Sequence, residues 1–226
     1  MIGNVLITGG ASGLGRAAAT AVAKAGGRPL VIDLAPAENG ADHVVADVGD
    51  REQAERAVRE LAERAGGLDG VVTAAGIDRC GPLERVPGEE WERVVRVNLF
   101  GTVSVVRAAL PYLERSGGRV VTVASTLGLR AVGDATAYCA AKSGVVGFTR
   151  ALATETAGRV GVTLLVPGGM RTGFFDGREE QYRPGPGARL NQPEDVAAAI
   201  VFALGQPPGC EVRELVVCPD TETSWP

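Results

Sequence analysis

The run Asn4-Val5-Leu6-Ile7-Thr8-Gly9-Gly10-Ala11-Ser12-Gly13-Leu14-Gly15-Arg16 passes from an apolar, β-branched strand into a glycine-rich turn and then into an alanine-rich helix. Its glycines are spaced Gly-x-x-x-Gly-x-Gly over Gly9, Gly13 and Gly15. Glycine permits a tight turn and lets the backbone approach a pyrophosphate, while a helix N-terminus offers free amides and a favourable dipole. Strand, turn and helix stand in the order a dinucleotide site requires. A second strand-like run ends in Val31-Ile32-Asp33-Leu34. There an acidic side chain can accept hydrogen bonds from both ribose hydroxyls and repel a 2′-phosphate. No Lys or Arg occupies 34 or 35, so NAD is expected rather than NADP. Arg16 is the counterweight: it stands in the first helical turn, within range of a phosphate or of solvent.

Outward from this unit, short apolar runs alternate with longer amphipathic ones. Strands are expected at Asn4-Val5-Leu6-Ile7, Leu30-Val31-Ile32, His43-Val44-Val45, Gly70-Val71-Val72, Val120-Val121-Thr122-Val123, Val162-Thr163-Leu164-Leu165-Val166 and Leu215-Val216-Val217. Helices are expected over residues 13–26, 51–65, 89–115, 137–157 and 193–204, the third broken or bent where Gly101 and Pro111 interrupt it. Strands buried on both faces and separated by helices predict an α/β chain with a doubly wound, seven-stranded parallel sheet. With 226 residues, one domain over 1–226 is expected. Residues 168–192, rich in glycine, proline and aromatics, are too long for an idle connection, and 218–226 form a C-terminal tail.

The chain carries 23 basic and 27 acidic residues, net −4, with the basic ones dispersed. Neither nucleic acid nor an anionic membrane is an expected partner. No apolar run approaches the ~20 residues of a bilayer span, no basic leader precedes the first strand, and a cytoplasmic protein is expected. Cys80, Cys139, Cys210 and Cys218 form no Cys-x-x-Cys pair, and His43 is the single histidine, so no metal site is expected. Cys139 is read as a packed thiol.

Tyr138 and Lys142, four apart, share a helix face, and Ser125 follows the strand-like run ending at Val123-Ala124. A free phenol titrates near ~10 and is a poor base at neutral pH. A fixed cation lowers that value, and a shift of about three units corresponds to roughly 4 kcal/mol. One ammonium supplies this only in a desolvated site or beside a second positive charge.

With these motifs in order, the chain resembles the short-chain dehydrogenase/reductase family, in the branch with a Thr-Gly-x-x-x-Gly-x-Gly turn, over nearly its full length. The resemblance implies a single-domain Rossmann fold with cofactor contacts at Gly9, Ser12, Gly13, Leu14, Gly15 and Asp33. Further contacts are implied at Asp47, Val48, Ala74, Ala75, Gly76, Tyr138, Lys142, Pro167, Gly168 and Thr172. It implies a catalytic set of Asn98, Ser125, Tyr138 and Lys142. Tyr138 would be the general acid in carbonyl reduction and the base in alcohol oxidation, and Ser125 would bind the substrate oxygen. Lys142 would hold the nicotinamide ribose and lower the tyrosine pKa, and Asn98 would position a water for proton relay. Residues 168–192 would form a lid over an alcohol or ketone. A homodimer or homotetramer is implied, packing through residues 99–115 and 138–157, where Val103, Val106 and Leu110 suit either an interface or the core.

Three departures stand out. Thr73 replaces the usual asparagine, the tail Cys218-Pro219-Asp220-Thr221-Glu222-Thr223-Ser224-Trp225-Pro226 replaces an Asp-Gly-Gly, and the segment after Thr172 is short. The expected activity is hydride transfer between NAD(H) and an alcohol or ketone. A 3-oxoacyl-thioester reductase using NADPH is one alternative, and a non-catalytic NAD-binding sensor or scaffold is the other.

Overall fold

The protein is represented by a computed structural model that describes residues 2–37 and 40–222. All seven expected strands form: β1 (Asn4–Thr8), β2 (Arg28–Asp33), β3 (Asp42–Val45), β4 (Gly70–Thr73), β5 (Arg119–Val123), β6 (Gly161–Pro167) and β7 (Glu214–Val217). They make one parallel sheet in the order β3-β2-β1-β4-β5-β6-β7. The chain leaves β1 toward β2 on one side and resumes at β4 on the other. Such a switch opens a crevice beyond the carboxyl ends of the strands, where ligands of this architecture bind.

The strand alternation divides the core into two layers. Leu6, Leu30, Ile32, Val71, Val120 and Val162 pack with α2 (Arg51–Ala65), α4 (Gly101–Ser116) and the end of α5 (Thr136–Glu155). Val5, Ile7, Val31, Val72, Val121 and Leu165 face the other way, onto α1 (Gly13–Lys24) and α6 (Pro193–Leu204). Val106 is fully buried in the first layer and Leu110 packs on it, so both serve the internal core.

The third expected helix is continuous from α3 (Gly88–Val95) into α4, and its irregularity lies in the turn that Gly101 closes, not at Pro111. Residues Arg96–Phe100 form one widened turn, closed by the Gly101 N–H bonding back to the Arg96 carbonyl. Gly101 ends this turn because a Cβ there would lie 2.9 Å from the Val48 carbonyl oxygen. Pro111 sits inside α4 without breaking it; it and Arg107 are exposed, so water can reach the carbonyl that its missing N–H leaves free. By length and composition Gly88–Ser116 could span a bilayer, but Val105, Val106, Ala109 and Leu113 are buried against the sheet.

Candidate active site

β1 delivers Thr8 to the crevice, and the turn after it is shaped by backbone proximity. Gly9 and Gly13 have φ of +72° and +49°, the left-handed region that favours glycine. A Cβ on Gly15 would lie 2.1 Å from the Gly9 carbonyl oxygen, and one on Gly9 would lie 2.9 Å from the Ala75 Cα. Ser12 precedes α1 in extended conformation, and the first turn of α1 carries no acidic residue. The amides after Ser12, with Leu14 buried behind them, therefore make a cradle suited to an anion. Asp33 does more than the sequence suggested. Its carboxylate accepts from the Ala11 amide at 3.0 Å and the Ala35 amide at 3.1 Å, clamping the turn to the end of β2.

The wall beyond β4 is braced through its backbone rather than through Thr73. The Thr73 hydroxyl, where the family usually has an asparagine amide, is buried without a hydrogen-bond partner. The link runs instead from the Ala75 amide to Thr8 Oγ1, 3.1 Å. Asp47 lies at this end of the cleft, but its carboxylate is already engaged by the Gly49 amide at 2.8 Å and by Arg93 at 2.7 Å. Val48 beside it is buried against Gly101.

The widened turn buries Asn98 completely. Its Nδ2 donates to the Ile77 carbonyl at 2.7 Å and the Val94 carbonyl at 2.8 Å, while Oδ1 is buried without a partner. Gly76 is required here, since its Cβ would lie 2.7 Å from Asn98 Oδ1 and 3.7 Å from Lys142 Nζ. Lys142 is buried and spends one donor on the Val123 carbonyl, 2.8 Å. Its Nζ stands 5.6 Å from the centre of the Tyr138 ring. Ser125 leaves the end of β5, accepts from the Leu127 amide at 3.1 Å and hydrogen-bonds Tyr138. Asn98, Ser125, Tyr138 and Lys142 thus meet at one end of the crevice.

The protein's own groups raise the phenol pKa rather than lower it. Burial holds Tyr138 well above its ordinary value, with the Ser125 hydrogen bond pulling the other way. Burial also pushes Lys142 down to about 8. Desolvation disfavours both charged forms, so the phenol stands as a proton donor.

This has a consequence for stability. An unfolded lysine keeps its proton to about 10.5, whereas the folded Lys142 gives it up at about 8. Between these values the unfolded state binds more protons, so stability rises with pH. Above 10.0 Tyr138 reverses the slope, because the unfolded phenol ionises while the buried one stays neutral. The urea-unfolding free energy of the parent protein is expected to gain about 2 kcal/mol over a Lys142→Met variant between pH 8 and pH 10. Parallel pH curves for the two proteins would contradict this.

Pro167 and Gly168 end β6, the Gly168 amide donating to the Val217 carbonyl at 3.0 Å. Thr172 caps the short turn Gly173–Phe175 and lies against the phosphate turn, 3.5 Å from where a Gly13 Cβ would stand. From there Phe174 packs on the Tyr138 ring, centroids 5.6 Å apart. A cavity of about 400 Å³ lies within the same segment, lined by residues including Arg171, Thr172, Phe175, Asp176 and Arg183. The start of the C-terminal tail packs here too, with Glu222 accepting from the Gly169 amide at 3.2 Å. Trp225 lies outside the described residues. Arg93, Asp78 and Arg178 were missed from the sequence, and no local motif marks them. Among the described residues, no three His, Cys, Asp or Glu side chains gather to hold a metal ion.

Comparison with known proteins agrees with this geometry. Residues 3–183 match the family model for short chain dehydrogenase. The chain is 33% identical over 217 residues to a 3-oxoacyl-[acyl-carrier-protein] reductase of Thermotoga maritima, covering 87% of this chain and 88% of that one. It is 34% identical over 231 residues to levodione reductase of Leifsonia aquatica, covering 88% and 86%. Among solved structures, an alcohol dehydrogenase from Thermococcus sibiricus, complexed with 5-hydroxy-NADP, superposes with a TM-score of 0.84 at 26% identity over 95% of both chains. The ligand-free aldohexose dehydrogenase of Thermoplasma acidophilum gives 0.83 at 25% identity over 95% of this chain and 92% of that one. The glycine cradle fits a nicotinamide dinucleotide, and the chain belongs to the short-chain dehydrogenase/reductase family, as an oxidoreductase acting on CH–OH and keto groups.

Proposed function

We propose that the protein interconverts an alcohol and its ketone with NAD(H), Tyr138 moving the proton. The carrying observation is the convergence of a protonated, buried phenol with Ser125 at one end of a crevice whose other end holds Asp33. The nicotinamide cofactor supplies or accepts the hydride. In reduction Tyr138 donates its proton to the carbonyl oxygen, and Ser125 orients that oxygen. Lys142, with two donors beyond its bond to Val123, holds the nicotinamide ribose. The unpartnered Asn98 Oδ1 and Lys142 Nζ border Gly76 together, which suits a relay water between them. Residues 168–192 act as the lid, with Phe174 and Phe175 offering apolar contact to the substrate.

NAD is preferred because Asp33 keeps lone pairs for ribose hydroxyls, and the amides of Ala11 and Ala35 fix its direction. A 2′-phosphate would meet that charge. The second reading, an NADPH-dependent reductase of 3-oxoacyl thioesters, draws on Arg16 and on Arg171 and Arg183 at the cavity, and on the name of the Thermotoga maritima relative, a 3-oxoacyl-[acyl-carrier-protein] reductase. Absorbance of the reduced nicotinamide, followed with NAD and NADP against a panel of alcohols, ketones and 3-oxoacyl thioesters, separates the readings. NAD is expected to give at least tenfold higher kcat/KM, and Asp33→Asn to erase most of that preference, a change of about 1.4 kcal/mol. Preference for NADP in the parent chain would favour the thioester reading. Tight NAD binding with no turnover on the whole panel would favour a sensor.

We extend the reading to a cytoplasmic homodimer or homotetramer without nucleic acid or membrane partners. The dispersed charge, net −4, supports the absence of polyanion partners. The four cysteines, all free, suit a reducing compartment. Phe100, 57% exposed at the end of the widened turn before α4, is an apolar surface that self-association would cover.

A further inference from the structure

The loop after β4 and residues 168–192 meet in a buried ion pair. Arg178 donates to Asp78 Oδ2 at 2.9 Å, with side chains only 16% and 4% exposed. The guanidinium also lies against two rings, 4.9 Å from the centre of Phe174 and 4.7 Å from that of Phe175. Phe174 in turn packs on Tyr138. Asp78 is fixed from its own side by the Arg79 amide at 2.7 Å and the Cys80 thiol at 3.2 Å. A second tie, from the Tyr182 hydroxyl to Asp134 at 3.0 Å, closes the far end of the segment. The two partners of the ion pair lie on different parts of the chain: Asp78 in the loop after β4, and Arg178 in the segment after β6.

We propose that Asp78 and Arg178 form a latch that couples closure of residues 168–192 to the charge around Tyr138. Closing brings a guanidinium to neutralise a carboxylate that would otherwise face the phenol alone. The pair acts through Tyr138, so both are positioning residues, and the second half of the proposal rests on the reading of Tyr138 as acid and base. The groups whose charge or hydrogen bonding acts on the phenol are Ser125 from the end of β5, Cys139 from its own helix, Asp78 from the β4 loop and Arg178 from the segment, with Lys142 Nζ 5.6 Å from the ring centre. Asp78 holds the phenolic proton more tightly and Arg178 loosens it, so the open segment leaves the first effect uncompensated. Leaving either charge alone in the cleft is unfavourable, which drives the segment closed.

Two measurements on Arg178→Met, Asp78→Asn and Arg178→Lys test the proposal. The first needs no turnover. Amide hydrogen exchange across residues 173–183 is expected to quicken at least tenfold in Arg178→Met, with β1, β4 and β5 unchanged; unaltered exchange overturns the latch. The second is the pH profile of alcohol oxidation. Its alkaline-shifted limb is expected to move up by about half a pH unit in Arg178→Met and down by about as much in Asp78→Asn, with Arg178→Lys restoring the parent profile. Reduced activity with no displacement, or displacement in the same direction in both variants, overturns the coupling and leaves a purely structural pair. If the parent chain turns over nothing on the panel, the functional reading falls, and the exchange measurement alone decides the latch.

Discussion

Replacing Tyr138 with phenylalanine is expected to lower kcat by about 10³-fold, within the range that a positioned general acid contributes, while nucleotide affinity stays unchanged. The substitution removes one oxygen and little else. The phenylalanine ring keeps its packing against Phe174, Val94 and Ala137. The lost hydrogen bond to Ser125 costs about 1 kcal/mol, too little to unfold the chain. Lys142 and the glycine turn are untouched, so the site still binds nucleotide but has no proton to give. Steady-state kinetics with a titration of NAD into the same variant reads both quantities. Undiminished turnover would remove Tyr138 from the chemistry.

Gly15→Ala is expected to weaken NAD binding about 100-fold, roughly 3 kcal/mol, and to lower stability by about 1 to 3 kcal/mol, the usual range for overpacking. The added methyl would stand 2.1 Å from the Gly9 carbonyl oxygen and 2.9 Å from the Gly10 amide nitrogen. Both are backbone atoms of the turn, so no side chain can swing aside. Gly9 cannot retreat freely either, because it already lies close against the Ala75 backbone. Gly147→Ala is the control: it is an exposed glycine inside α5 with open space around it, and alanine there is expected to be neutral or mildly stabilising. Calorimetric titration checks the first variant against the second. Equal affinity for NAD would mean that the turn does not hold the pyrophosphate.

Both expectations grow from features visible in the sequence. The seven strands were legible because each is a short apolar, β-branched run, fully buried at the centre of the sheet and half-buried at its edges β3 and β7, and residues 51–65 and 193–204 fell on α2 and α6 as expected. The meeting of Asn98, Ser125, Tyr138 and Lys142 was legible through family resemblance, since their separation in sequence gives no geometry. The widened turn at Arg96–Phe100 was legible only as a break near Gly101. Gly101 advertised a break beside it, but not the form of the turn or the approach of the Val48 carbonyl that excludes a Cβ there.

Long-range polar partners were hidden for a similar reason. Asp78 and Arg178 lie far apart in the chain, and neither belongs to a motif. The Thr8 to Ala75 hydrogen bond could not be inferred from Thr73, whose hydroxyl stays unpartnered. The sign of the tyrosine shift depended on burial, a property of the assembled cleft. A tyrosine and a lysine at helical spacing tell which groups share a face, but not how much water either loses.

A crystal structure of the protein with NAD bound is the most direct test of the hydride and proton sites together. The expected result has the pyrophosphate on the amides after Ser12, both adenosine ribose hydroxyls on Asp33, and the nicotinamide ring between Thr172 and Tyr138. A nucleotide seated elsewhere, or a nicotinamide ring turned away from the Tyr138 hydroxyl, would contradict the proposed chemistry.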